Sequence, residues 1–188
     1  MNSFRRNFRH WWKAPRRVSD REIDRRVTFL ELFYDLVYVV LIAELAHALS
    51  ENINLLGIGS FIFLFVIVWW AWINGTMYHD LHGHNDVRTR VLTFVQMLCV
   101  AAMAIFAHNA LGEGSVGFAL SFAAMQLTLT FLWWRTGAHD PLHRPLSRPY
   151  SLTCLITTML FIFSVFVPMP MRFYMWGLSL LLSLILPL

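Results

Sequence analysis

Val27-Thr28-Phe29-Leu30-Glu31-Leu32-Phe33-Tyr34-Asp35-Leu36-Val37-Tyr38-Val39-Val40 opens an apolar segment that runs on to Leu49. It is long enough to cross a bilayer, yet it carries Glu31, Asp35, Glu44 and His47. A charged side chain at the centre of a membrane helix costs at least about 2.5 kcal/mol, so such residues are rare and face a bundle interior or a water-filled cavity. The first helix is therefore both an anchor and the leading candidate for the working part of the protein.

Composition extends this reading to the whole chain. Over 188 residues, 57% are apolar and 14% charged, and mean hydropathy is +0.55. Soluble domains carry about 25% charged residues. Six apolar segments follow one another, at 27–49, 53–76, 91–108, 115–134, 150–167 and 173–188. Their apolar runs are continuous rather than alternating, which excludes a membrane β-barrel pattern and leaves helices. The expected fold is an all-α polytopic transmembrane bundle of about six helices spanning 27–188, preceded by a basic arm over 1–26.

Charge orients the bundle. Nine of the fifteen basic residues precede Val27, and Arg88, Arg90, Arg135, Arg144 and Arg148 fall in the connections that share the arm's side, leaving Arg172 alone on the other. This bias places the N-terminus in the cytoplasm. Trp69, Trp70, Trp72, Trp133 and Trp134 then lie near the cytoplasmic ends of the second and fourth helices, where an aromatic belt belongs. The arm is read as a flank that meets anionic lipid rather than nucleic acid. Cys99 and Cys154 lack the paired spacing of a disulfide framework or zinc site. No phosphate-binding glycine loop, dinucleotide fingerprint or serine nucleophile motif is present, and no cofactor is implied.

The first-helix stretch resembles the opening motif of the low temperature requirement protein A (LtrA) family of bacterial membrane proteins, carried by Thr28 and by Glu31-Leu32-Phe33-Tyr34-Asp35-Leu36-Val37-Tyr38. The resemblance continues through Trp69, Trp72, Thr76, Tyr78, Asp86 and Arg90. It covers roughly 27–150, and the remainder by hydropathy. The chain departs from the family at Leu81 and His82, where many members have an arginine and an aromatic residue. Members are usually longer, so this chain is expected to be a fragment or to complete itself by self-association or with further helices. The resemblance implies an integral, multi-pass protein of the bacterial inner membrane linked to growth at low temperature. It implies no substrate or catalytic activity.

Several residues could carry chemistry. At 100° per residue, Thr28, Glu31, Asp35, Tyr38 and Ile42 share a stripe about 80° wide. Glu31 and Asp35 are neighbours on it, and two close carboxylates repel when both are ionised. With Tyr38 as a hydrogen-bond donor and Arg88 or Arg90 as counter-charge, this arrangement suits a proton- or cation-coupled carrier. The alternative sets both carboxylates at the headgroup level, paired with arginines and complementing the helix dipole. Glu44 and His47, near the far end of the same helix, could share a proton or simply face water. His79, His82, His84, Asp86, His139 and His143 could bind a metal if their two polar stretches meet, although their spacing matches no metal motif. Asn74, Gln96, Gln126 and Thr128 are expected to hydrogen-bond between helices. Three functions remain in view: an ion-coupled transporter or channel-like protein, a non-transporting structural or assembly component, and a metal-dependent membrane enzyme.

Overall fold

A segment apolar along its whole length can satisfy its backbone in hydrocarbon only by coiling into a helix, which pairs its interior N–H and C=O groups within itself. The computed structural model describes residues 29–82, 87–139 and 144–185. Among the described residues there are six helices and no strand: α1 (Phe29–Glu51), α2 (Leu55–His82), α3 (Val87–Ala107), α4 (Ser115–His139), α5 (Arg144–Ser164) and α6 (Met171–Ile185). Within α2, α3 and α4, the stretches Leu55–Leu81, Arg88–Ala107 and Ser115–Ala138 are long and apolar enough to cross a membrane.

Three helix ends extend farthest beyond the hydropathy reading. α2 runs six residues past 76 to His82, α4 runs past 134 to His139, and α5 starts at Arg144 rather than 150. Hydropathy marks only the part of a helix suited to hydrocarbon, whereas backbone bonding continues wherever the polar ends can pack. Here they do pack: the hydroxyls of Tyr78 and Thr136 lie 3.3 Å apart, and Arg135 is buried. Pro145 falls in the first turn of α5, where its missing N–H is no loss. Pro149 lies inside the helix and leaves one carbonyl a turn earlier without its helical donor.

The helices pack in the succession α1–α3–α4–α5–α6, while α2 lies along α1 and touches α4. One core joins Tyr34, Tyr38, Leu41 and Leu45 of α1 to Ile67, Val68 and Ala71 of α2, Met97 and Val100 of α3, Phe118 and Phe122 of α4, Phe161 of α5 and Trp176 of α6. A second cluster at the other end of α4 gathers Tyr78, Leu129, Leu132, Trp133 and Cys154. Large apolar side chains also cover the outside, including Leu36, Val39, Leu98, Ile105, Phe131 and Phe163. A contiguous apolar exterior of this kind marks a lipid-facing surface.

Polar side chains inside the helices follow a different pattern from the one expected. Asn74 donates to Trp70 O on its own helix, and Thr128 to Ala124 O. Gln126 alone of the four bridges helices, donating from Nε2 to Thr157 Oγ1 at 3.2 Å. Gln96 is fully buried, and neither amide atom has a hydrogen-bond partner among the described residues. Short hydroxyl side chains reach the carbonyl a turn earlier more readily than a neighbouring helix. On α4, the Phe106 ring lies directly over Gly117.

Arg172, counted from the sequence as an isolated basic residue, is buried. Its guanidinium closes the end of α5, donating to Ser164 O at 3.0 Å, Val165 O at 3.1 Å and Val167 O at 3.2 Å, and also to Ser115 Oγ on α4. Trp176, one turn later on α6, donates to Ser164 Oγ at 2.9 Å and lies against the rings of Phe118, Phe161 and Phe173. The carbonyls at the end of a helix have no intrahelical donor, and this one side chain donates to the last carbonyl of α5 and to two carbonyls of the turn that follows it. Arg172→Ala should therefore lower stability by about 3 kcal/mol or more, read as unfolding in graded SDS against a mild detergent. Arg172→Lys should recover little of the loss, because a single ammonium cannot serve donors spread across a planar fork.

Candidate functional site

The buried face of α1 repeats at helical spacing: Tyr34, Tyr38, Leu41 and Leu45 point into the core. Asp35, Glu31 and Ile42 flank that face and are half-buried. Asp35 thus sits at the edge of the core beside α2, where its Oδ1 accepts the indole N–H of Trp72 at 2.8 Å. The partner that bonds Asp35 is a neutral indole, and not Arg88 or Arg90. Those two arginines occupy the first turn of α3, half-buried and exposed respectively.

On the other side of the contact, the Tyr34 hydroxyl presses onto the backbone of Gly75. A methyl group there would collide with the Tyr34 oxygen, so this close approach of α1 and α2 favours a glycine. Tyr34 donates to the Tyr38 hydroxyl at 3.3 Å and meets the His79 ring edge-on, with centroids 5.4 Å apart. His79 in turn meets Tyr78 at 5.8 Å, Tyr78 meets Trp133 at 5.2 Å, and Trp133 stacks on Tyr150 at 4.8 Å. A continuous file of aromatic rings therefore runs from α1 through α2 and α4 to α5. Edge-to-face and stacked pairs each contribute about 0.5–1.5 kcal/mol beyond area burial.

The residues singled out from the sequence divide clearly. Asp35, Trp72, Tyr38, His79 and Tyr78 converge around this junction, and Glu31 lies one turn towards the N-terminus of α1. Phe33 and Trp69 face outwards. Thr76 turns a buried hydroxyl inwards with no hydrogen-bond partner among the described residues. Glu44 is half-buried further along α1, and the exposed His47 lies closer to Glu51 than to it, at 3.8 Å from the Glu51 carboxylate. Of the metal candidates, His79 is packed among aromatic rings. The side chains of His82 and His139, and the whole of Thr28, His84, Asp86 and His143, lie outside the described residues. Sequence reasoning named Asp35 and Trp72 separately without pairing them. It also passed over Tyr34 and Gly75, whose signal was a glycine and a tyrosine set among the motif residues.

The family described as bacterial low temperature requirement A protein (LtrA) matches residues 26–188. The chain belongs to this family. An uncharacterized protein of Rhizobium meliloti (strain 1021) is 32% identical over 127 residues, a stretch that covers 67% of this chain and 30% of that relative. No solved structure matches. The family match reaches through α5 and α6, beyond the 27–150 in which the motif resemblance was strong. Asp35 and Trp72 owe their proximity to the α1–α2 contact.

Trp72→Phe should remove the donor to Asp35 while keeping most of the ring packing, and should cost about 1–3 kcal/mol in the same SDS unfolding measurement. Gly75→Ala should displace the Tyr34 ring and change the near-ultraviolet circular dichroism of the aromatic file, with the helical signal kept.

Proposed function

We propose that this LtrA-family chain is a multi-pass protein of the bacterial inner membrane, with its N-terminus in the cytoplasm, and that Asp35 is the proton- or cation-binding group of a transport pathway. The observation that carries this reading is the Trp72–Asp35 hydrogen bond inside an apolar helix pair. An arginine partner would hold the carboxylate ionised by direct charge pairing. An indole N–H can donate to a carboxyl oxygen in either protonation state, so Asp35 can change charge without losing its contact. Ionisable groups within membrane helices are ordinarily tied to ion or proton pathways.

The interior of the bundle adds support. Among the described residues, Trp70 Nε1, Thr76 Oγ1, both Gln96 amide atoms and Gln126 Oε1 are buried without hydrogen-bond partners. Polar groups sealed away in this manner cost several kcal/mol each unless something polar visits them. An ion pathway supplies such a visitor. A second reading is favoured by the same junction: a non-transporting component whose α1–α2 joint matters for assembly when the membrane stiffens in the cold. The Gly75–Tyr34 approach is a packing feature and serves that role equally well.

Proton flux into liposomes, followed with an enclosed pH dye, separates the two. The transport reading expects flux above that of empty liposomes, abolished by Asp35→Asn at unchanged protein abundance and insertion, with Glu31→Gln as the comparison. Abundance and function that fall together in Asp35→Asn, or the absence of flux from folded protein, would favour the assembly role.

A further inference from the structure

The last turns of α1 carry His47 and Glu51, four residues apart and so on one face of the helix. The chain returns to this end of the bundle as α3 closes, and the turn that follows sets His108 beside them. Nε2 of His108 lies 3.2 Å from Oε2 of Glu51, and Nε2 of His47 lies 3.8 Å from Oε1 of the same carboxylate. The two imidazole rings are 5.8 Å apart and tilted rather than stacked. One nitrogen or oxygen from each of the three residues falls within 4.8 Å of the others.

We propose that His47, Glu51 and His108 bind a divalent transition-metal ion, with zinc as the best match to the ligand set, at the end of α1 away from its N-terminus. Zinc takes imidazole nitrogen and carboxylate oxygen at about 2.0–2.2 Å in a tetrahedral arrangement, whose ligand-to-ligand edges are about 3.4 Å. The three ligand atoms, all within 4.8 Å of one another, reach that spacing by rotation of side chains that are 63%, 50% and 46% exposed at His47, Glu51 and His108 respectively. Two imidazoles and one carboxylate leave the fourth position to water, the ligand count of open zinc sites. Two nitrogen donors disfavour calcium and magnesium, which take oxygen.

One further feature favours a cation here. The C-terminal end of α1 presents the negative pole of its dipole towards the three side chains. His108 also borders a cleft of about 400 Å³ whose mainly apolar lining includes the polar residues Asn52, Asn54, Ser60 and Asn109. Fold stability offers a weaker reason for the convergence, since exposed ion pairs contribute only about 0–1 kcal/mol. Binding would tie the end of α1 to the end of α3. The site shares no residue with the Asp35 junction, and its existence is independent of the transport reading.

The test uses the full chain purified in detergent through a histidine-free tag, stripped with chelator and titrated with Zn²⁺ against a chromophoric competitor. One equivalent should bind, and Co²⁺ should give the intense visible bands of tetrahedral coordination. Glu51→Gln and His108→Ala should each weaken the site at least about tenfold, with His47→Gln available should either variant lose helical signal. A His82→Ala/His84→Ala variant should bind as the parent does. Parental titration in the first-named variants, loss of binding in the His82→Ala/His84→Ala variant, or competition by equimolar Ca²⁺ would each overturn the assignment.

Discussion

Asp35 can reside in an apolar helix because Trp72 offers it an N–H. The bond spans the contact between α1 and α2, and it is matched across that contact by the Tyr34 hydroxyl lying on Gly75. α2 packs chiefly against α1, so these two contacts hold it to the bundle. The aromatic file from Tyr38 through Tyr34, His79, Tyr78 and Trp133 to Tyr150 then ties the junction to α4 and α5. Aromatic rings suit this task in hydrocarbon: they fill volume, prefer defined edge-to-face geometries, and carry polar tips that find partners within the bundle.

The opposite end is held by another polar group placed where lipid cannot help it. From the first turn of α6, Arg172 donates to the last carbonyl of α5 and to two carbonyls of the turn that joins the two helices. Ser164 is the shared point, accepting Arg172 at its carbonyl and Trp176 at its hydroxyl. A short α6 of 15 residues is thereby fixed to its neighbours by two directed interactions as well as by apolar packing.

The class of fold was legible because the apolar runs are continuous and separated by charge. Helix ends were less so. At 77–82, 135–139 and 144–149 the residues are too polar to register as membrane segments, yet they continue the helices by packing on one another. The stripe through Glu31, Asp35, Tyr38 and Ile42 was read as one face, and those residues do share one side of α1. The buried centre is instead the Tyr34, Tyr38, Leu41 and Leu45 face, with the carboxylates at its edge. Asp35 was expected to find an arginine, since charge pairing is the pattern a sequence displays most openly. Its indole partner needs the register of two helices. Arg172 was hidden for a related reason: its partners are carbonyls, which no composition or charge count reveals. The approach of His108 to Glu51 likewise depends on where two helix ends meet, although the spacing of His47 and Glu51 was visible.

The central claim is that Asp35, held by Trp72, exchanges a proton while remaining inside the helix pair. Infrared difference spectroscopy between acidic and basic buffer, on the full chain in liposomes, reads this directly. The account predicts a carboxyl carbonyl band that appears on acidification, vanishes in Asp35→Asn and shifts in frequency in Trp72→Phe. A difference spectrum unchanged by Asp35→Asn would contradict it.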